Sequence, residues 1–215
     1  MMGYKDWNIQ SSKEDSRQIP HNPKHNGLTY LYHYSLQEAN EIIMSPNYTK
    51  AIFVRDPKER FLSAFLDKAL SNDGIHLQAK CCPSGDCLKE AQTFPGFTKL
   101  VVNGCSNPHW ESQSRRMEPK YWKFINFVGH TERASHDARI LLESIGAWEE
   151  YGKSGWGPNG DKAIFEQNTE NTLSHATHSK SKMWWYTKEL ESVVETFYSA
   201  DYTNPYLNLT LTKLY

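Results

Sequence analysis

The stretch from Ala51 to Leu70 begins with a short apolar run typical of a strand and continues with apolar residues at the spacing of a helix. The first four residues, AIFV, are β-branched, aromatic or small, and they predict a buried strand. The DPKE that follows predicts a helix start, with an acidic N-cap at Asp56, proline at the first helical position and glutamate at the third. Beyond it an apolar stripe recurs at helical spacing, and Lys58 and Glu59 lie off that stripe. The stretch therefore predicts a strand, a tight turn and a helix.

Similar patterns predict the remaining regular elements. Leu28 to Tyr34 is strand-like, and a helix begins at Ser35, a residue that forms a capping pair with Glu38. Ser71 to Asn107 is broken by glycine and proline and predicts an irregular region. The pattern also predicts a strand at Phe124 to Gly129, a helix from about Arg133 to Ile145 stopped by Gly146, and a last helix from Lys188 to Ala200 with Leu190, Val193, Val194, Phe197 and Tyr198 facing inward.

The length and composition of the chain limit the classes of protein to which it can belong. The 215 residues are enough for one sizeable domain, and the many aromatic residues exclude a disordered chain. The 24 basic residues balance 25 acidic ones, so bulk charge gives no argument for nucleic acid or for a membrane surface. The sequence contains neither an apolar run long enough to cross a membrane nor a signal-peptide pattern at its start.

The turn between the strand and the helix at 51–70 is suited to an anion. Free N–H groups and the positive end of the helix dipole favour a phosphate, and Arg55 adds a guanidinium fork with Ser63 as a hydroxyl donor. The alternative is that Arg55 pairs with Asp56 or Glu59 and that Ser63 is an ordinary surface residue. Spacing alone leaves both hypotheses open.

The segment RDPKERFLSAFLDK resembles the 3′-phosphate-binding segment of the Golgi carbohydrate sulfotransferases, the group that contains the chondroitin enzymes. The shared pattern is Arg-Asp-Pro, two residues, Arg, two residues, Ser-Ala, and a Lys a few positions on. Three further stretches match in the right order: PHWESQ, FINFVGHTE and YTKELESVVETFYSADY. Together the four motifs span most of the chain from about residue 30 onward.

The resemblance implies a donor site. Arg55 and Ser63 would hold the 3′-phosphate of 3′-phosphoadenosine 5′-phosphosulfate, and Arg60 would brace the turn. A loop near the last helix closes on the donor in the family, so Ser179, Lys180 and Lys182 are candidate phosphate contacts; a solvated charged loop is the alternative. No metal is expected.

The base that activates the acceptor hydroxyl is expected to be a neutral histidine. His33 is the first candidate, because the catalytic histidine of related uronyl 2-O-sulfotransferases lies in a comparable place, upstream of the Arg-Asp-Pro segment. His109 and then His25 are the other candidates, and the sequence does not choose between the three.

All four cysteines lie in an insert at about 71–107: Cys81, Cys82, Cys87 and Cys105. Within a luminal family they imply one or two disulfides, with three possible connectivities if two form. A zinc site with His109 is an alternative, disfavoured because two adjacent cysteines do not easily bind one metal. Reduced thiols are expected if the chain is cytosolic.

Family members are typically single-pass Golgi proteins with an N-terminal anchor and a 5′-phosphosulfate loop upstream of the Arg-Asp-Pro segment. Nothing in this sequence matches that loop, so we expect the chain to lack the loop, its strand and the anchor. Two N-glycosylation triplets, Asn47-Tyr48-Thr49 and Asn208-Leu209-Thr210, matter only if the chain is luminal.

The predicted fold is α/β, a three-layer P-loop-like sulfotransferase domain over residues 1–215 with a central parallel sheet flanked by helices. The predicted activity is sulfuryl transfer to a glycan hydroxyl in the Golgi lumen. The alternative is a non-catalytic glycan- or partner-binding remnant of the same fold. A nucleotide-dependent kinase is disfavoured because the chain has no G-x-x-x-x-G-K-[ST] motif.

Overall fold

The computed structural model of the protein describes residues 28–70, 77, 81–153 and 184–215. The helices are α1 (Leu36–Met44), α2 (Pro57–Phe65), α3 (Leu88–Ala91), α4 (Phe94–Val102), α5 (Ala134–Ser144), α6 (Lys188–Phe197) and α7 (Ser199–Thr203), and the strands are β1 (Ala51–Val54) and β2 (Phe127–His130). Short 3₁₀-helices lie at Leu31–His33, Gln113–Arg116, Pro119–Phe124 and Thr131–Arg133, and π-helical turns lie at Leu66–Leu70 and Trp148–Gly152.

The two strands pair in a small parallel sheet, so the helix-rich described part is consistent with the predicted α/β class. Contacts divide the chain into two compact units. Of the described residues, the first unit takes 28–52, 124–129 and 133–153, and the second takes 53–70, 77, 81–123, 130–132 and 184–215. The single domain over residues 1–215 stays a prediction.

Two sequence predictions meet at the start of the first unit. The capping pair is confirmed, because Ser35 Oγ accepts from the Glu38 N–H at 3.2 Å and the Glu38 carboxylate accepts from the Ser35 N–H at 2.9 Å. The strand at Leu28 to Tyr34 is wrong: Leu31–His33 is a 3₁₀ turn whose backbone bonds close locally, as in the 2.9 Å bond from His33 N to the Tyr30 carbonyl. A strand would need a neighbouring strand for those groups.

The end of α5 confirms the predicted stop. Gly146 has φ of +69°, a conformation that glycine adopts without steric cost at the end of a helix. The chain then turns back through Trp148, whose ring lies 5.0 Å from the Arg139 guanidinium. Gly152 packs directly on that ring, since a Cβ at position 152 would come within 1.9 Å of it.

Aromatic side chains form the core of the second unit. Phe61 and Phe65 of α2 pack against Phe94 and Phe97 of α4, with ring centroids 5.0–5.7 Å apart. Edge-to-face contacts of this kind stabilise a core beyond simple area burial. The fully buried Trp110 lies against Phe97 at 5.3 Å, so the PHWESQ motif is anchored in this core.

The prediction that 71–107 is irregular is wrong for α4. The Thr93 hydroxyl caps this helix by accepting from the Gly96 N–H, and Pro95 lies in the first turn, where its missing N–H costs nothing. Gly96 is required there because an added Cβ would come within 2.0 Å of the Glu90 carbonyl oxygen. The proline and glycine that suggested a break are therefore part of a helix start.

The four cysteines form two disulfides, Cys81–Cys105 and Cys82–Cys87, which confirms that prediction and removes the zinc and free-thiol alternatives. The first of them joins the segment before α3 to the segment after α4. Within the described residues, no helix is both long and apolar enough to cross a membrane.

The buried face of α6 differs from the prediction at two positions. Val194 is buried as expected, and Tyr198, which follows the helix, is buried too, but Val193 is 41% exposed. Glu191 is buried because its carboxylate accepts from Lys58 Nζ at 2.7 Å. Apolar periodicity does not reveal a charged residue that is buried with its partner.

Lys58 is the centre of this buried ion cluster. Its side chain is 1% exposed, and Nζ donates to Glu191, to Glu195 at 3.1 Å and to the Thr212 carbonyl. The backbone carbonyl of Lys58 accepts from the Tyr186 hydroxyl at 2.9 Å. The cluster fixes α2 to α6 and to the segment that follows α7, a role that the amphipathic pattern of α2 does not predict.

Replacing Lys58 by methionine is expected to lower the free energy of unfolding by about 3–5 kcal/mol, because it leaves the buried Glu191 carboxylate without its cation. Urea unfolding at pH 7 measures the change. Lys188→Met, on the exposed surface of α6, is the matched control and should change the value by less than about 0.5 kcal/mol. Equal effects of the two substitutions would contradict the importance of the cluster.

Candidate functional site

A cavity of about 310 Å³ opens in the second unit where β1 ends and α2 begins. Arg55 directly follows β1, and Thr131 directly follows β2. Open α/β folds bind ligands at such carboxyl ends of strands. The cavity is lined by Phe53, Arg55, Arg60, Ser63, Ala64, Asp67, His109, Gln113 and Thr131.

One face of α2, continued by the π-helical turn Leu66–Leu70, forms a wall of the cavity. Arg60, Ser63, Ala64 and Asp67 follow the i, i+3, i+4, i+7 spacing that places side chains in a row. Ser63 thus lies beside Arg60 on the wall, about two turns into the helix. The predicted strand, turn and helix are present, but the prediction that the strand is buried is wrong: of its four residues only Val54 is buried, and Phe53 is 41% exposed.

The N-terminus of α2 is already occupied by carboxylates. Asp56 caps the helix by accepting from the Glu59 N–H at 2.9 Å, as predicted, and the Glu132 carboxylate accepts from the Asp56 N–H at 2.7 Å. Pro57, the first residue of the helix, has no backbone N–H to donate. Fewer backbone groups are therefore available to an anion than at an uncapped helix start, and side chains gain importance.

Arg55 lies 3.6 Å from the Glu59 carboxylate, Nε to Oε2, and the two side chains are 21% and 11% exposed. This is the ion pair that the sequence left open as the alternative. The distance exceeds that of a normal hydrogen bond, and the guanidinium still lines the cavity. Arg55 therefore lies both beside this carboxylate and at the cavity.

Gln113 holds the backbone of Arg55 on both sides. Its Oε1 accepts from the Arg55 N–H at 2.9 Å, and its Nε2 donates to the Arg55 carbonyl at 2.8 Å. The glutamine is only 8% exposed, so both bonds are shielded from water. This pair of bonds, called the Gln113 clamp below, fixes where the Arg55 side chain starts.

Asp201 in turn holds the segment that carries Gln113. Its fully buried carboxylate accepts from the Gln113 N–H at 2.9 Å, from the Ser114 N–H at 2.8 Å and from the Ser112 hydroxyl. Three donors satisfy the hydrogen-bonding capacity of this carboxylate, which would be costly to bury without partners. The sequence did not single out Gln113 or Asp201 as site residues, although both lie in matched motifs.

Arg60 fixes the neighbouring loop. Its guanidinium donates to the Pro108 carbonyl at 2.7 Å and to the Glu111 carbonyl, so it spans the residues on either side of His109. Burial lowers the pKa of Arg60 below its ordinary value, and the like charge of Arg116 adds to this. These bonds run to the loop around His109 and not to the turn before α2, so the predicted bracing of that turn stays a prediction.

The structure brings four predicted residues to one cavity: Arg55, Arg60, Ser63 and His109. His109 is exposed, and its backbone N–H donates to Asn107 Oδ1 at 3.0 Å. His33 belongs to the first unit, where its Nδ1 accepts from the Tyr30 N–H at 3.2 Å. The other candidates, His25, Ser179, Lys180 and Lys182, lie outside the described residues.

The cavity combines two guanidinium groups, a hydroxyl and an imidazole. Guanidiniums and hydroxyls bind phosphate or sulfate oxygens, and an exposed imidazole can take a proton near neutral pH. Among the described residues, no group of three or more His, Cys, Asp or Glu side chains is placed to hold a metal ion. The site is suited to an anionic ligand and to proton transfer.

Comparison with known proteins gives related sequences. A sequence model of the sulfotransferase family matches residues 2–204. Human carbohydrate sulfotransferase 9 is 28% identical over a 149-residue alignment that covers 60% of this chain and 33% of that protein. Mouse carbohydrate sulfotransferase 8 is 28% identical over 145 residues, covering 60% of this chain and 34% of that protein. The chain thus spans about a third of the length of these relatives, and no solved structure matches it significantly.

Gln113→Met should release the Arg55 backbone while keeping the volume of the side chain. We expect hydrogen exchange at the Arg55 amide to accelerate about tenfold, equivalent to about 1.4 kcal/mol, because its acceptor is lost. Exchange mass spectrometry or NMR at pH 7 measures it. Gln37→Met, an exposed change on α1, is the control and should leave this amide unaffected. Unchanged exchange in Gln113→Met would show that the clamp does not fix the turn.

Proposed function

The chain belongs to the sulfotransferase family, and from this premise we propose that it transfers a sulfuryl group from 3′-phosphoadenosine 5′-phosphosulfate to a hydroxyl of a carbohydrate. The observation that carries the proposal is the cavity itself, which places Arg55, Ser63 and His109 together at the end of β1. The names of the related carbohydrate sulfotransferases support a sugar as the acceptor.

Arg55 and Ser63 are proposed to hold the 3′-phosphate of the donor. A guanidinium fork and a hydroxyl are charge-assisted donors to phosphate oxygens. This role is supported by the place of Arg55 on the cavity wall and by its 3.6 Å separation from Glu59, which is longer than a normal hydrogen bond. Lys180 and Lys182, which lie outside the described residues, are proposed as further phosphate contacts.

His109 and His33 are the proposed bases. In the proposed reaction the acceptor oxygen forms a bond to sulfur as its proton passes to the imidazole. The bond between sulfur and the bridging phosphate oxygen breaks, and the electron pair leaves with the nucleotide. The exposed position of His109 on the cavity with Arg55 supports it as the first candidate.

The setting proposed for this activity is the Golgi lumen, with a three-layer sulfotransferase fold and an anchor expected in the family N-terminal to the catalytic domain. The two disulfides support an oxidising compartment, since structural disulfides are rare in the cytosol.

Calorimetric titration with 3′-phosphoadenosine 5′-phosphate tests the donor site. The chain is expected to bind in the micromolar range, and Arg55→Ala and Ser63→Ala should each weaken binding at least about tenfold, or about 1.4 kcal/mol, because each removes a donor to the phosphate. Arg139→Ala and Ser199→Ala, matched exposed changes away from the cavity, should bind as the parent does.

Failure of a folded parent chain to bind this nucleotide would refute a donor site in the chain, and binding to glycans alone would then favour the non-catalytic alternative. Parent-like binding by both Arg55→Ala and Ser63→Ala would place the 3′-phosphate elsewhere.

Removal of the base should lower the rate of transfer and leave donor affinity unchanged. We expect His109→Ala to reduce the rate of sulfation of a glycan acceptor about 10²- to 10⁴-fold, the usual contribution of a general base. Radiolabelled sulfate transfer measures it, with calorimetry as the check on binding. His33→Ala is the paired variant: a large loss there with an active His109→Ala would assign the base to His33.

A further inference from the structure

The segment after α7 is fixed to the second unit at points on both sides of Asn208. Leu207, directly before it, is fully buried. Beyond it the Thr212 carbonyl accepts from Lys58, and the Leu214 N–H donates to the Glu191 carboxylate at 2.7 Å. The three residues 208–210 therefore form a short link between two anchored points.

That link faces the solvent. Asn208 and Thr210 are both exposed, and 208–210 belongs to no helix or strand. Asn208 has φ of +50°, a left-handed conformation that asparagine adopts more readily than most residues. Within the described part of the chain, no hydrogen bond engages its side-chain amide. The amide is thus available on a fixed, irregular loop.

Asn208-Leu209-Thr210 also meets the sequence requirement for N-glycosylation, an Asn-x-Thr triplet without proline at its centre. The two disulfides indicate that the chain folds in an oxidising compartment, which is the kind that contains the glycosylation machinery. The exposure of Asn208, its loop conformation, the sequence triplet and the oxidising compartment each meet a separate condition for N-glycosylation.

We propose that Asn208 is an N-glycan acceptor. Its Nδ2 forms a bond to the anomeric carbon of a lipid-pyrophosphate-linked oligosaccharide. The bond from that carbon to the pyrophosphate oxygen breaks, the lipid pyrophosphate leaves with the electron pair, and Nδ2 gives up one proton. The bulky sugar points into solvent because the anchors at Leu207 and Thr212 hold the link outward. The proposal does not depend on sulfuryl transfer.

The other triplet, Asn47-Tyr48-Thr49, lies differently. Asn47 is exposed in a turn, but the Tyr48 carbonyl accepts from Asn126 Nδ2 at 3.5 Å, and the triplet leads within two residues into β1. A glycan on Asn47 would make it harder to detect a glycan on Asn208. The test is therefore made in an Asn47→Gln background, where Asn208 is the only remaining triplet.

The full chain, directed into the secretory lumen of mammalian cells by a cleavable signal peptide, is purified from the lumen or the medium. Intact and peptide mass spectrometry should find hexose and N-acetylhexosamine on the Asn208 peptide, removable by peptide N-glycosidase with conversion of the asparagine to aspartate. Asn208→Gln and Thr210→Ala should abolish the modification.

Two further variants separate recognition of the triplet from disturbance of the loop. Thr210→Ser keeps a valid triplet and should retain the glycan, and Thr212→Ala makes the same threonine-to-alanine change two residues outside the triplet and should retain it as well. An unmodified Asn208 peptide in disulfide-bonded chain recovered from the lumen would overturn the proposal, as would a glycan that persists in Thr210→Ala.

Discussion

The Gln113 clamp is the contact on which the cavity depends. It joins residues 58 positions apart, and Asp201 fixes Gln113 from a further 88 positions away. The turn after β1, the helix α2, the PHWESQ segment and α7 are thereby held as one assembly within the second unit. Arg60 adds a parallel connection, since its guanidinium binds the carbonyls around His109. The residues proposed to bind the anion and the candidate base are therefore positioned by the same network.

The charges of the site act mainly through side chains. Asp56 and Glu132 already accept from N–H groups at the start of α2, so the helix dipole offers less to a ligand than an uncapped helix would. Arg60 is committed to carbonyls, and Arg55 is shared with Glu59 at a longer distance. Of the two guanidiniums, Arg60 is held by bonds to backbone carbonyls, and Arg55 lines the cavity beside a more distant carboxylate. This physical difference separates the two arginines, for which the sequence predicted separate roles.

The sequence predicted the local elements well, because caps and periodicity are local signals. The Asp56 cap, the Ser35–Glu38 capping pair and the glycine stop of α5 were all predicted correctly. The similarity to carbohydrate sulfotransferases was also predicted, since it depends on short motifs in a fixed order.

What the sequence did not predict depends on contacts between distant residues. Periodicity placed Lys58 off the apolar stripe, yet it is buried because its partners come from α6 and the segment after α7. Gln113 lies in a recognised motif, but only the fold shows that its amide meets the backbone of Arg55. The helix α4 was missed because proline and glycine indicate a break unless their place in a capped first turn is known.

The buried cluster at Lys58 has a consequence for the site on the opposite side of α2. An apolar side chain would tolerate small rotations of the helix, whereas an ammonium group that must reach two carboxylates and a carbonyl tolerates few. Buried ionic groups add little net stability but can select one arrangement. Five residues at about 100° each place Ser63 about 140° around the helix from Lys58. The rotation that satisfies Lys58 in the core is therefore the one that turns Ser63 and Arg60 toward the cavity.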